Sequence, residues 1–422
     1  MSKWASIPLE YLADDITVGF VGSMTQEYVE SGIPFLRSKN VEPYRIILDD
    51  LCYISREFHQ KIKKSALSPG DVVIVRTGKP GSATIIPEFF PVANCSDLVI
   101  VRPSLKLDRH FLVYYLNSIA VHYINSRLVG AVQQHFNIGA ARELKIYCPP
   151  IEEQQEISSV LTSLDCKIEN LRKQNKTLEA IAQTLFKHWF VDFEFPNEDG
   201  KPYKSSGGAI ELSELGEIPA GWSVGKFGDF CNVKHGYAFK GEFITAEETG
   251  QILLTPGNFR IGGGFNPSKY KYYSDGDYDK DYILEAGDLI ITMTDLSKEG
   301  DTLGYPAFVP KHSNNIFLHN QRLGKVIDSQ IDLFFLFFLL CRREYRSHIL
   351  GTASGSTVRH TSPSRILECK FTVPNKELLD HFSLVVRKLI SKTFANYEQI
   401  ETLSKTRDVL LPKLISGQLR II

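Results

Sequence analysis

The chain repeats itself. Gly130 to His135 reads Gly-Ala-Val-Gln-Gln-His and Gly355 to His360 reads Gly-Ser-Thr-Val-Arg-His, an offset of 225 residues. The same offset carries Pro149 onto Pro374, Leu164 onto Leu389, Leu178 onto Leu403 and Leu185 onto Leu410. Upstream, Leu67-Ser-Pro-Gly-Asp-Val-Val-Ile returns as Leu284-Glu-Ala-Gly-Asp-Leu-Ile-Ile, and there the offset is 217. Trp4 has its counterpart in Trp222. A drifting offset is what loops of unequal length between matching elements produce. A period of about 200 residues exceeds the roughly 20–50 residues of a solenoid unit, so the repeat is a domain followed by a helix, present twice. Two similar surfaces related by approximate two-fold symmetry suit a long, nearly two-fold ligand.

At 422 residues there is room for two or three domains, each with its own core. The net charge is −1, and residues 1–150 hold sixteen Lys and Arg against fourteen Asp and Glu. Charge excess therefore does not drive binding to a polyanion; any nucleic-acid contact must come from arranged side chains or from basic partners. The cysteines (52, 95, 148, 166, 231, 341, 369) form no Cys-x-x-Cys pair, which points to reduced thiols in a cytoplasmic protein and away from a disulfide framework or a zinc site. No signal peptide is visible at Met1-Ser-Lys-Trp. The most apolar stretch, Leu333-Phe-Phe-Leu-Phe-Phe-Leu-Leu-Cys, is far shorter than the ~20 residues of a membrane span. With its counterpart Phe111-Leu-Val-Tyr-Tyr-Leu it reads as a buried helix in each repeat.

Residues 1–150 alternate short apolar runs with Gly, Pro, Asn and Asp. Val72-Val-Ile-Val, Leu98-Val-Ile-Val and Leu144-Lys-Ile-Tyr read as strands, with a helix over 109–126 between them. Residues 215–375 repeat the plan with Ile252-Leu-Leu-Thr, Leu289-Ile-Ile-Thr and Lys370-Phe-Thr-Val. The pattern changes after Pro149. Leu161, Leu164, Ile168, Leu171, Asn175, Leu178, Ala182, Leu185 and Trp189 follow an alternating 3-4 spacing, the mark of a heptad seam. The second copy (Val386, Leu389, Thr393, Asn396, Ile400, Leu403, Arg407, Leu410, Leu414) is more polar. Asn175 and Asn396 do not align under the repeat offset, which predicts different depths for them on a paired seam. Each helix is expected to run about 33 residues, roughly 50 Å at ~1.5 Å per residue. The resulting fold class is α+β: two mixed α/β domains, 1–150 and 215–375, separated by two long helices, 151–195 and 376–422, that pair as a coiled coil. Residues 196–214, rich in Gly, Pro, Ser and charge, read as a linker.

Certain residues carry a family resemblance. Pro149-Pro-Ile-Glu-Glu-Gln-Gln-Glu-Ile, then Leu161-Thr-Ser-Leu-Asp-Cys-Lys-Ile, resembles the strand-to-helix motif of the specificity subunits of type I restriction-modification systems. So do Leu185-Phe-Lys-His-Trp-Phe-Val-Asp-Phe-Glu-Phe-Pro with Gly200-Lys-Pro-Tyr, and Arg407-Asp-Val-Leu-Leu-Pro-Lys-Leu-Ile-Ser-Gly-Gln-Leu. The domain interiors match mainly at Gly32-Ile-Pro-Phe-Leu-Arg-Ser-Lys-Asn-Val, Leu67-Ser-Pro-Gly-Asp and Trp222. Pro374-Asn-Lys-Glu-Leu-Leu departs by lacking the Pro-Pro and the Glu-Gln. The resemblance implies two target-recognition domains and two antiparallel helices in circular pseudo-symmetry. Each domain then reads one half of a bipartite, asymmetric DNA sequence, and the helices fix the gap. It further implies two methyltransferase subunits docked on the helices and restriction motor subunits that cut. S-adenosylmethionine, ATP and Mg²⁺ are then expected in those partners, and no cofactor in this chain.

Catalytic motifs are missing. No Asn/Asp-Pro-Pro-aromatic loop grips a flipped base, and no phosphate loop cradles ATP. Glu143-Leu-Lys145 has the spacing of a metal nuclease but sits at a domain edge; Gly262-Gly-Gly264 reads as a turn. The eleven His residues show no metal-ligand spacing. Reading base edges needs Arg, Lys, Asn and Gln on exposed loops, with other polar groups for phosphates. In the first domain the candidates are Arg37, Ser38 and Lys39; Arg76, Thr77, Lys79 and Ser82; and Gln133, Gln134, His135 and Asn137. In the second they are Lys234, His235 and Tyr237; Arg260; Thr294 and Lys298; and Ser356, Thr357, Arg359 and His360. Gly130 and Gly355 are expected to let backbone approach the duplex. The expected function is a non-catalytic DNA-recognition subunit. The rivals are a single-chain modifying enzyme, a helical scaffold, and a solitary specificity subunit without an active restriction partner. Exposed apolar helix surface is compatible with self-association of the isolated chain, whose oligomeric state the sequence leaves open.

Overall fold

A computed structural model describes residues 4–128, 135–267, 270–274, 276–312 and 315–421. The backbone divides into two compact units, residues 1–170 with 400–422, and residues 171–399.

In the first unit Val72–Val75 and Leu98–Pro103 lie at the centre of a four-stranded antiparallel sheet, flanked by Ala83–Ile85 and Ala13–Val18. Val72–Val75 and the first four residues of Leu98–Pro103 are apolar at every position because both faces are covered. Val72, Ile74, Val99 and Val101 pack on one side with Phe111 and Leu112 of the helix Arg109–Leu116. Val73, Val75, Leu98 and Ile100 pack on the other with Leu36, Leu67 and Cys95. Those last three belong to a five-stranded sheet whose order is Tyr28–Val29, Cys52–Ile54, Ile33–Leu36, Ala93–Cys95, Ala66–Leu67. Within it Ile33–Leu36 and Ala93–Cys95 run parallel. The helix expected over 109–126 is broken, with a second segment at Ala120–Ser126. Asn117 causes the break: its side chain accepts from Ala83 N at 3.0 Å and donates to Ala83 O at 2.8 Å, so the helix end is tied to a sheet edge.

The second unit repeats this order strand for strand. Its four-stranded sheet runs Asn232–His235, Leu323–Ile327, Leu289–Thr292, Pro306–Phe308. Its five-stranded sheet runs Ile244–Thr245, Lys271–Tyr273, Gln251–Leu254, Ile316–His319, Ile283–Leu284, with the same parallel pair in the middle. Leu333–Leu340 is the counterpart of the buried helix. The segment 196–214 is ordered: Phe195 stacks on Tyr203 at 4.5 Å and on Trp222 at 5.5 Å. Most of the drift of the repeat offset now has a location. Val75 N bonds Ser82 O while its counterpart Thr292 N bonds Tyr305 O, so the loop between is 76–81 in one unit and 293–304 in the other.

A central helix, Ile151–Phe190, and a distal helix, Lys376–Ile415, each have 40 residues, longer than expected because polar first turns belong to them. The first turn of the central helix holds Gln154, which is fully buried. Gln154 Oε1 accepts from Asp108 N at 2.8 Å and Nε2 donates to Pro149 O at 2.9 Å, which is why the Glu-Gln-Gln run sits there. At the distal helix Asn375 caps instead, accepting from Leu378 N at 2.9 Å, and apolar Leu379 takes the place of Gln154.

Inside each unit the helix segments run antiparallel. In the first, Ile157 and Leu161 share a core with Leu411, Leu414 and Ile415, and Arg407 donates to Asp165 at 2.8 Å. In the second, Phe186 and Phe190 pack on Phe382. Of the seam residues, Leu161, Ile168, Leu171, Asn175 and Asn396 are buried, while Leu164, Leu178, Leu185, Leu389, Ile400, Leu403 and Leu410 are half-buried. Toward the end of the central helix the seam residues Ala182 and Trp189 stay buried and the stripe widens to take in Phe186 and Phe190, as a 3.6-residue helix drifts from a 3.5-residue seam. The expectation for the two asparagines is corrected. Asn396 Nδ2 donates to Asn175 Oδ1 at 2.8 Å, and Asn175 Nδ2 donates to Thr393 O at 3.3 Å. They sit at one depth, because antiparallel pairing and not the repeat offset decides which residues face each other.

Candidate nucleic-acid interface

In each unit one short turn carries the chain from the five-stranded sheet into the four-stranded one, and the candidate loops gather around it. In the first unit the turn is Ser96-Asp97. Phe20 N donates to Cys95 O at 2.7 Å, Ser96 N to Leu36 O at 3.1 Å and Arg76 N to Asp97 O at 3.1 Å. Phe136 N then donates to Arg76 O at 3.0 Å, which brings the segment after His135 alongside. In the second unit the turn is Asn320-Gln321-Arg322. Tyr237 N donates to His319 O at 2.9 Å, Met293 N to Arg322 O at 2.8 Å and Thr361 N to Met293 O at 3.0 Å. Beside each turn the chain leaving the neighbouring strand, Ala13–Val18 or Asn232–His235, passes through a glycine. A Cβ on Gly19 would lie 3.0 Å from Cys95 O, and one on Gly236 would collide with the Asn320 carbonyl.

The first set of candidates divides by what holds it. Ser38 Oγ reaches Asp97 O at 3.2 Å and Thr77 Oγ1 at 3.4 Å, so these residues meet at the turn. Arg76 bends back, its Nε donating to Phe136 O at 3.3 Å. Arg37 and Lys39 both engage Asp50, and the Lys39 ammonium holds that carboxyl below the usual carboxylate range. Arg37 also lies over the Tyr28 ring at 5.7 Å. Lys79 is exposed in the loop closed by Ser82, and His135 is half-buried. Asn137 caps the helix Ile138–Glu143, accepting from Ala140 N at 2.8 Å. Gly130, Gln133 and Gln134 lie outside the described residues.

In the second unit Thr294–Asp295 pairs with Arg359–His360, and Thr294 Oγ1 lies 3.2 Å from His360 Nδ1. Arg359 Nε donates to Lys298 O at 3.1 Å. Burial raises the Asp295 carboxyl, but hydrogen bonds from Thr302 and Ser297 outweigh this and hold it below its ordinary range, pinning the loop. Thr294, Lys298, Arg359 and His360 are thus one cluster, with Ser356 and Thr357 exposed beside it. A Cβ on Gly355 would strike the Val358 carbonyl, so this glycine serves its own turn. Lys234 lies over the Tyr282 ring at 4.8 Å and donates to Asp281 O at 3.0 Å, His235 is exposed, and Tyr237 is half-buried. Arg260 is held differently. Its guanidinium donates to Glu179 at 3.0 and 3.3 Å and to the Tyr397 hydroxyl at 3.2 Å, anchoring a loop to both long helices.

Asp97 and Arg322 were missed by sequence reasoning. Both are exposed, and neither side chain makes a hydrogen bond or ion pair among the described residues. Their signal was present, since the 225 offset that aligns Leu98 with Leu323 also aligns these two. Among the described residues no group of His, Cys, Asp and Glu is arranged to hold a metal ion, and no helix is long and apolar enough to cross a membrane. Glu143 is exposed, with Arg127 at 4.0 Å.

The family model described as the type I restriction modification DNA specificity domain matches residues 22–180 and 219–410. The type I restriction enzyme MjaIX specificity subunit of Methanocaldococcus jannaschii is 26% identical, over 94% of this chain and 89% of the relative. The HindI specificity subunit of Haemophilus influenzae is also 26% identical, over 84% and 88%. A crystal structure of the S subunit of a type I restriction-modification system from M. genitalium aligns with a TM-score of 0.57 at 16% identity, over 98% and 96% of the two chains, and has the same fold. Two matched copies of the domain, spread over most of the sequence, place this chain in the family of type I restriction-modification specificity subunits, the non-catalytic components that confer DNA sequence recognition.

Proposed function

We propose that each unit reads one half of a bipartite, asymmetric DNA target, and that the chain directs adenine methyltransferase subunits and restriction motor subunits to it. The observation that carries this reading is the doubled constellation around the sheet-to-sheet turn. The backbone frame is the same in both units, yet the side chains differ: Ser38, Thr77 and Asp97 in one, Thr294, His360 and Arg322 in the other. One frame with two sets of side chains suits two unlike half-sites. S-adenosylmethionine, ATP and Mg²⁺ belong to the partner subunits in this reading. The near-zero net charge agrees with a reader that depends on partners to neutralise the phosphates. The test is to co-express the chain with its methyltransferase subunit and map methylated adenines genome-wide by single-molecule sequencing. Two short unlike half-sites across a fixed gap are expected. Methylation without a split motif, or a stable complex that methylates nothing, would refute it.

A further inference from the structure

We infer that Asp97 and Arg322 are equivalent base-reading residues of the two units, and that their opposite chemistry makes the half-sites differ at the corresponding base pair. This rests on the reading of the chain as a two-headed DNA reader.

Three observations converge. The first is equivalence of place. Each residue closes the turn between the sheets, its carbonyl accepts from the residue after the matching strand (Arg76 N at 3.1 Å, Met293 N at 2.8 Å), and the next residue, Leu98 or Leu323, accepts from the glycine of the neighbouring strand. The second is a fixed backbone beneath a free side chain. Asp97 sits at φ +55° with its carbonyl also taken by Ser38 Oγ, and Arg322 N is held by Asn320 Oδ1 at 2.9 Å. Both side chains are nevertheless exposed and without polar partners among the described residues, whereas Arg37, Lys39, Arg76, Lys234, Arg260 and Arg359 are all engaged. The third is central position, since Ser38 and Thr77 adjoin Asp97 while the segments carrying Thr294 and His360 adjoin Arg322. A residue so placed has a defined origin and an unspent hydrogen-bonding capacity.

The chemistry then assigns the bases. An ionised carboxylate only accepts, so Asp97 selects an exocyclic amine, best met by cytosine N4. A guanidinium only donates, in a fork that fits guanine O6 and N7, so Arg322 selects guanine. The turns also differ in length, two residues against three, which moves the reading side chain relative to the sheets.

The experiment maps methylation by the assembled complex for wild type, Asp97→Asn, Arg322→Gln and Arg322→Ala. Asn tolerates the left-handed backbone at position 97, so that turn is kept. Arg322→Ala is expected to relax one position of one half-site, with roughly ten- to hundred-fold less discrimination there. Arg322→Gln is expected to move that position from guanine toward adenine, and Asp97→Asn to change one position of the other half-site only. Unchanged motifs in all three active complexes would overturn the assignment. So would uniform weakening across all sequences with a smaller salt dependence, the behaviour of a phosphate contact. Loss of complex formation by Arg322→Ala is read against Arg322→Gln, and a motif unchanged in the latter also overturns it. Absence of any split motif in wild type would instead defeat the underlying reading.

Discussion

Arg260 and His319 show how differently one unit uses its basic residues. Arg260 has the composition of a base reader, but its guanidinium is committed to Glu179 and Tyr397, residues far away in sequence. Nothing local in the sequence reveals such a partner. His319 is fully buried one residue before the Asn320 turn, with Nε2 3.0 Å from Leu323 O. Burial, helped by the nearby cations Lys325 and Lys234, lowers its pKa to about 4. The sign follows from linkage: the folded state keeps this imidazole neutral while the unfolded chain protonates near pH 6.5. Its stability contribution is therefore complete above about pH 6.5 and is lost as the pH falls toward 4. Between pH 7.5 and 5.0 wild type should lose about 2 kcal/mol more than His319→Gln. Chemical denaturation of both proteins at the two pH values checks this, and equal losses would show that the histidine is not the titrating group.

At the scale of elements, the repeat, the apolar central strands and the long helices were all legible, because each leaves a periodic trace along the chain. What crosses between elements was not. The helix over 109–126 was interrupted by a side chain reaching a strand, and the seam asparagines met because of a pairing direction that no local pattern encodes. The candidate site was partly legible: the loops bearing Ser38 and Thr77 meet in the first unit and those bearing Thr294 and His360 meet in the second, but Asn137 caps a helix. The Asn175–Asn396 pair is a buried polar lock in the seam, and such a pair fixes register at a cost in stability. Replacing both with Leu is expected to raise the melting temperature of the unit, by roughly 2–4 °C for each kcal/mol. The same change should permit other pairings, visible as a mixture of oligomers in native mass spectrometry. A single species with unchanged melting temperature would remove the asparagines from that role.

For the whole molecule, the decisive feature is that one unit is continuous in sequence and the other is not. Residues 171–399 form a unit without help, whereas residues 1–170 share their core with Leu411, Leu414 and Ile415. Burial of each of these three side chains is worth about 1.5–3 kcal/mol. A chain ending at Gln399 should therefore lose on the order of 5 kcal/mol in the first unit, comparable to the whole stability of a domain. Limited proteolysis of that truncated chain is expected to degrade residues 1–170 while sparing 171–399, and equal protection of both would refute the shared core. The same feature sets an order of events during translation. The segment made first waits, at roughly 5–20 residues per second, until all of 171–399 has been synthesised before its last core residues arrive. The ribosome thus delivers the two units in reverse order, the second finished first, and during that wait the unfinished one is exposed to proteases and chaperones.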